Sequence, residues 1–213
     1  MVPHLDPALL AVYHALSEHT WMANVVEAVE TTLEQAGLHR SVSHPPAMCL
    51  LDLSGYTRLT EERGDQAAAE MAASLGTLVR SGSQAHGGHP VKSLGDGVMV
   101  HFPEPAGAVL FALQMQEEIP AADLPPGHAG IAAGPLVFQD GDYFGRTVSL
   151  AARIAAFATA GQVLVSDRVV EVTRLPQVTF VEIGPVELRG VAAPVRLHEA
   201  HRLDGHPGGT RGR

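Results

Sequence analysis

Residues 48–55 read Met48-Cys49-Leu50-Leu51-Asp52-Leu53-Ser54-Gly55. Four apolar residues in a row meet a carboxylate and then a small, glycine-bearing turn. A short apolar run bounded by turn residues reads as a buried strand, so Asp52 sits where the strand runs out. A carboxylate there is anchored by the sheet yet open to solvent. A second such position follows in Lys92-Ser93-Leu94-Gly95-Asp96-Gly97, where Asp96 occupies the tip between strand-like runs at 90–94 and 98–102. Taken singly, each has an ordinary explanation: an Asp after a strand often caps the next helix, and Asp-Gly is a common hairpin turn. Two carboxylates aimed at one spot can share divalent cations, and paired metals are a frequent means of handling phosphates.

Outward from this pair the pattern alternates. Residues 56–63 read as a short helix, and 66–85 as a long Ala-rich helix with Met71, Leu75 and Leu78 on one side, stopped by Gly87-Gly88. A helix started by a Pro is predicted over 105–119, a loop over 120–127, a strand over 128–138 and a turn over 139–142. A third long helix follows over 147–160, then a strand at 162–166, a helix near 167–173, and late strands at 180–188 and 195–200. This order predicts an α+β fold, a ferredoxin-like sheet with helices packed on one face. Upstream, Trp21, Val25, Val29 and Leu33 recur at helical spacing between a capping Thr20 and a stop at Gly37. Residues 1–46 are therefore expected to be a helical extension making inter-subunit contact, with His44-Pro45-Pro46 as its linker. The main domain is expected over 47–202 and a disordered tail over 203–213.

The chain has 213 residues, of which 46% are hydrophobic and 17% charged, enough to bury a sizeable core. A net charge of -9 without long basic runs argues against nucleic acid as the main partner. It leaves a nucleotide open, because cations neutralise a triphosphate locally. Cys49 is the only cysteine, which excludes an internal disulfide and fits a reducing compartment. No apolar stretch approaches the roughly 20 residues of a membrane span, and no signal-peptide pattern opens the chain. The expected location is cytoplasmic, with a further regulatory domain or partner outside this sequence.

A third segment runs Asp142-Tyr143-Phe144-Gly145-Arg146-Thr147-Val148-Ser149-Leu150-Ala151-Ala152-Arg153. Arg153 interrupts a small and apolar stretch suited to close packing, and an Arg in that setting needs an anion. His86-Gly87-Gly88-His89 reads as a solvated loop, because a flexible spacer without a third ligand makes a poor metal site.

The segments at 51–57, 92–97 and 142–153, in this order and spacing, resemble the catalytic domain of class III nucleotidyl cyclases, the adenylate/guanylate cyclase family. Pro185-Val186-Glu187-Leu188-Arg189-Gly190 resembles a late strand and turn of the same family, and the similarity runs from about Ala47 to Ala200. The resemblance implies an enzyme that converts ATP to 3′,5′-cyclic AMP and pyrophosphate. It implies that Asp52, Asp96 and the carbonyl of Leu53 hold two Mg²⁺ or Mn²⁺ ions. Ser54, Gly55, Tyr56 and Thr57, with Tyr where Phe is usual, would form the phosphate-facing turn. Lys92 and Asp142 would read the adenine edge, a donor and an acceptor matching its ring nitrogen and its amine. Arg153 would stabilise charge on the α-phosphate, and Arg189 would meet the terminal phosphates. Family sites form between two copies packed head to tail, so the expected partner is a second copy of the chain. Ser149 stands where the family usually has Asn, four residues before the catalytic Arg. That departure supports one alternative, a weakly active or inactive nucleotide-binding regulatory module. A cyclase with another base preference, such as GTP or a pyrimidine nucleotide, is a separate alternative.

Overall fold

The computed structural model describes residues 44–203. The expected N-terminal helix, except for the end of its linker, and the tail after Leu203 lie outside the described residues. The central strand is β1 (Ala47–Leu53), paired antiparallel on one side with β3 (Gly97–Phe102) and on the other with β4 (Gly127–Ala133). Successive side chains of a strand point to opposite faces. Cys49, Leu51 and Leu53 enter one buried cluster, with Leu75, Val79, Phe111, Met115 and Ile119. Met48 enters a second, with Met99, Ala151 and Ile154, and Leu50 packs against it. A strand covered on both faces needs apolar residues at every position, which is why 48–51 is an unbroken apolar run.

The sheet has the order β2-β3-β1-β4-β7-β9-β8, with β2 (His89–Leu94), β7 (Val163–Ser166), β8 (Val178–Val186) and β9 (Val195–Arg202). Its first four strands, with helices α1 (Tyr56–Ala85) and α2 (Pro105–Ala121), form the βαββαβ ferredoxin-like unit. β7 adds parallel to β4, and β9 and β8 continue antiparallel beyond it. A separate ribbon joins β5 (Val137–Gln139) and β6 (Asp142–Phe144). The main compact unit comprises His44–Val137 and the chain from Tyr143, while Phe138–Asp142 belongs to a second unit.

The two helices expected at 56–63 and 66–85 are one element bent at Gly64, whose φ of 82° and ψ of 171° break the helical path. Glycine reaches that region at little cost. The Tyr56 hydroxyl donates to the Ala68 carbonyl at 2.9 Å, tying the two arms across the bend.

Other boundaries differ from the sequence reading. The helices do not share one face. Helices α1 and α2 cover one side, whereas α3 (Arg146–Phe157) packs on the other, against β4 and β1. Helical periodicity reports that a helix has an apolar stripe, not which face of the sheet receives it. Gly130 of β4 makes the approach of α3 possible, because a β-carbon there would run into the backbone of Ala151 and Ala155. The strand expected over 128–138 is two strands, interrupted by Gly134 at φ 159° and Pro135. Thr147 Oγ1 donates to the Pro135 carbonyl at 2.7 Å and lies 2.7 Å from where a Gly134 β-carbon would stand, so the break is held by α3. Helix α2 continues through Pro120, placed in the expected loop. Proline removes one helical hydrogen bond, and the N–H groups of Ala122 and Leu124 close the last turn on the Glu118 and Ile119 carbonyls. Helix α4 spans Asp167–Val172. Among the described residues, no helix is long and apolar enough to cross a membrane.

Candidate active site

β1 delivers Asp52 to the end of the sheet between two partners, Gly97 on β3 and His128 on β4. By alternation its side chain lies on the α3 side, with Met48. Its Oδ1 accepts the N–H of Leu53 at 3.0 Å. Asp96, at the β2–β3 tip, comes up against it. Burial first, and next the Asp96 carboxylate, push the Asp52 carboxyl above its ordinary range, while His128 and the Leu53 N–H pull the other way. Two carboxylates held together by two different turns of backbone repel one another unless a proton or a cation intervenes. Paired anionic oxygens suit a hard divalent ion such as Mg²⁺ or Mn²⁺, so the residues present fit the expected metals. Among the described residues, no group of three or more His, Cys, Asp or Glu side chains is arranged to hold a metal ion. The carboxylate pair thus carries the charge of this site.

The sequence reading did not single out His128. Its Nδ1 lies 3.0 Å from Ser54 Oγ, and its Nε2 lies 3.8 Å from Asp52 Oδ2. Sequence gave only its place at the start of a strand; the Asp52–His128 register that joins them is a property of the folded sheet.

The turn after β1 is less open than expected. The Leu53 N–H is taken by Asp52, and the Ser54 N–H donates to the Pro126 carbonyl at 2.9 Å. Gly55, at φ 79°, immediately precedes α1, and the first-turn amides that follow have no intrahelical acceptor. Thr57 in that turn is exposed, whereas the Tyr56 ring packs on the core and its hydroxyl is spent on Ala68.

Lys92 is exposed on β2, opposite Met99. Because Met99 and Gly97 share a face of β3, the registers put Lys92 and Asp52 on the same side of the sheet. Helix α3 lies on that side too. It buries Thr147, Ala151, Ile154 and Ala155 and leaves Ser149 and Arg153 exposed one turn apart. Among the described residues, no carboxylate pairs with Arg153. Its Nη2 lies 3.9 Å from where a β-carbon on Gly190 would stand, which sets it beside the turn carrying Arg189. That turn walls an open groove of about 500 Å³ lined by Glu187, Leu188, Arg189 and Val191–Pro194. Asp142 opens β6 in the second unit and is half-buried.

Residues 41–202 match the model of the adenylate and guanylate cyclase catalytic domain. The chain belongs to this family. The chain is 34% identical over 152 residues to an uncharacterized protein of Mycobacterium tuberculosis (strain H37Rv), covering 70% of this chain and 39% of that protein. It is 30% identical over 207 residues to a pH-sensitive adenylate cyclase of M. tuberculosis (strain CDC 1551), covering 95% of this chain and 51% of the relative. The chain thus spans about half or less of these relatives' length. The solved adenylyl cyclase CyaB of P. aeruginosa superposes with a TM-score of 0.68 at 20% identity, over 77% of this chain and 96% of that one. At that identity the likeness is one of fold, and it agrees with the mixed α+β sheet described above.

Proposed function

We propose that the cyclase domain acts on ATP, forming 3′,5′-cyclic AMP and pyrophosphate by in-line attack of the ribose 3′-OH on the α-phosphate. The observation that carries this reading is the meeting of Asp52 and Asp96 where β1 and the β2–β3 hairpin end. Asp52, Asp96 and the Leu53 carbonyl would hold two divalent cations, which supply Lewis-acid activation of the hydroxyl and charge neutralisation on the triphosphate when bound. Lys92 donates to, and Asp142 accepts from, the adenine edge. Arg153 offers a planar, permanently charged donor to the charge that grows on the α-phosphate oxygens, and Arg189 meets the terminal phosphates. These residues are divided between two copies packed head to tail, so a dimer carries two sites and a lone chain none. Named adenylate cyclase relatives support the choice of ATP.

The test is turnover of ATP by the purified chain with Mn²⁺, with the products resolved. Cyclic AMP is expected from the wild type and not from Asp52→Asn or Asp96→Asn. No cyclic nucleotide from a verified dimer would overturn the reading. A second reading, nucleotide binding with little turnover, is favoured by Ser149, whose hydroxyl is shorter than an amide. It predicts ATP binding by calorimetry without product, and a gain of activity in Ser149→Asn. Side-by-side turnover of ATP, GTP, CTP and UTP separates the base preferences.

A further inference from the structure

Asp52 is flanked by residues of opposite character. On the β3 side Gly97 brings no side chain, and on the β4 side stands His128. The imidazole is largely enclosed, its side chain 13% exposed, against 41% for Asp52. An enclosed histidine is commonly a core residue with its nitrogens satisfied by backbone. Here neither nitrogen is used that way. Nδ1 meets the Ser54 hydroxyl at 3.0 Å, and Nε2 faces Asp52 Oδ2 at 3.8 Å. Asp52 is the one carboxylate this ring meets among the described residues.

We propose that His128 is a positioning residue for Asp52, with Ser54 setting the ring and the ring setting the carboxylate. This rests on the metal-site reading above and adds residues that the reading leaves out. The Ser54 hydroxyl donates to Nδ1, which leaves the proton on Nε2, aimed at Oδ2. With Oδ1 held by the Leu53 N–H, the carboxylate is then steered from both oxygens, and the lone pairs not so used turn toward Asp96 and the shared cations. The 3.8 Å gap exceeds a hydrogen bond, and a rotation that moves the oxygen by roughly 1 Å closes it. Partners of this kind behind a metal ligand are typically worth about 10–100-fold in metal affinity. Ser54 thus acts through His128 and not only as a turn residue near phosphate.

The probe is Mn²⁺ alone, titrated into the full chain and followed by loss of the free-ion electron paramagnetic resonance signal. His128→Phe keeps the ring's bulk and deletes the donor, and it is expected to weaken Mn²⁺ binding about 10–100-fold. His128→Gln, which retains an N–H, is expected to recover much of that loss. Ser54→Ala is expected to fall between. Asp52→Asn should remove binding and serves as the reference. Mn²⁺ affinity unchanged in both His128→Phe and Ser54→Ala, with binding lost in Asp52→Asn, would overturn the positioning role and leave the metal site standing. Binding alike in wild type and Asp52→Asn, or absent from both, would overturn the metal site and this inference with it. If His128→Phe does not fold, Ser54→Ala decides alone: unchanged affinity overturns the role.

Discussion

Asp52 and Gly97 face one another across β1 and β3, and a β-carbon on Gly97 would stand 3.1 Å from Asp52 Oδ1 and 3.2 Å from the Leu51 carbonyl. The hairpin therefore approaches the carboxylate as closely as a residue without a side chain allows. Gly97→Ala should leave the fold intact, since alanine in a strand costs less backbone entropy than glycine. It should move the carboxylate by a few tenths of an ångström. Displacements on that scale reduce rates steeply, about 100-fold for 1 Å. The expected result is a melting temperature near wild type with a fall of about threefold to tenfold in kcat for cyclic nucleotide formation. Equal activity in the two proteins would show that Asp52 has room to spare.

Gly130 tests the other wall of the site. A β-carbon there meets the backbone of α3 at Ala151 and Ala155, and backbone cannot yield as a flexible side chain can. Gly130→Ala should destabilise the protein by about 1–3 kcal/mol, the usual cost of overpacking, measured by urea unfolding. Because the same turns of α3 carry Ser149 and Arg153 on their exposed side, activity should fall as well.

His101 should make stability depend on pH. Its ring stacks on Tyr143 at 4.5 Å and stands 4.8 Å from His89. Burial, and then the neighbouring His89, hold its pKa down to about 4, against 6.5 for a free histidine. Between these values the unfolded chain binds the proton and the folded chain does not, so stability rises with pH across that window and is lost as pH falls through it. Urea midpoints measured between pH 7 and pH 4.5 should drop more steeply for wild type than for His101→Phe. Parallel curves would remove His101 from the explanation.

Cys49 lies in the centre of β1 with no exposed surface, and burial pushes its thiol up to about 12. The thiolate is the reactive form. Ellman's reagent at pH 8 should therefore not label the native protein and should label it fully in urea. Rapid labelling of the folded chain would mean that the sheet opens around β1.

The elements legible in the sequence were those set by local chemistry. The apolar run before Asp52 and the hairpin across 95–97 each announce their geometry without help from distant residues. Much of the candidate site followed, because Asp52 and Asp96 stand at strand ends that short-range patterns define. What escaped was non-local. The face taken by α3 depends on Gly130 lying under Ala151 and Ala155, 21 or more residues away in sequence. The break at Gly134 depends on Thr147 bonding to Pro135. His128 gave no signal, because its partnership with Asp52 exists only in the β1–β4 register, and a histidine at a strand start looks like any other.

In the proposed dimer the Asp52–Asp96 pair and Arg153 work on one nucleotide although they belong to different copies of the chain. Mixing two inactive variants tests it most directly. Asp52→Asn lacks a metal ligand and Arg153→Ala lacks the phosphate cation, and their mixed dimer has one site with both defects and one with neither. Random re-association of equal amounts should restore about a quarter of wild-type cyclic AMP formation, since half the dimers are mixed and each has one intact site. No recovery in a verified mixed dimer, when each variant alone is inactive and wild type is active, would contradict the shared site.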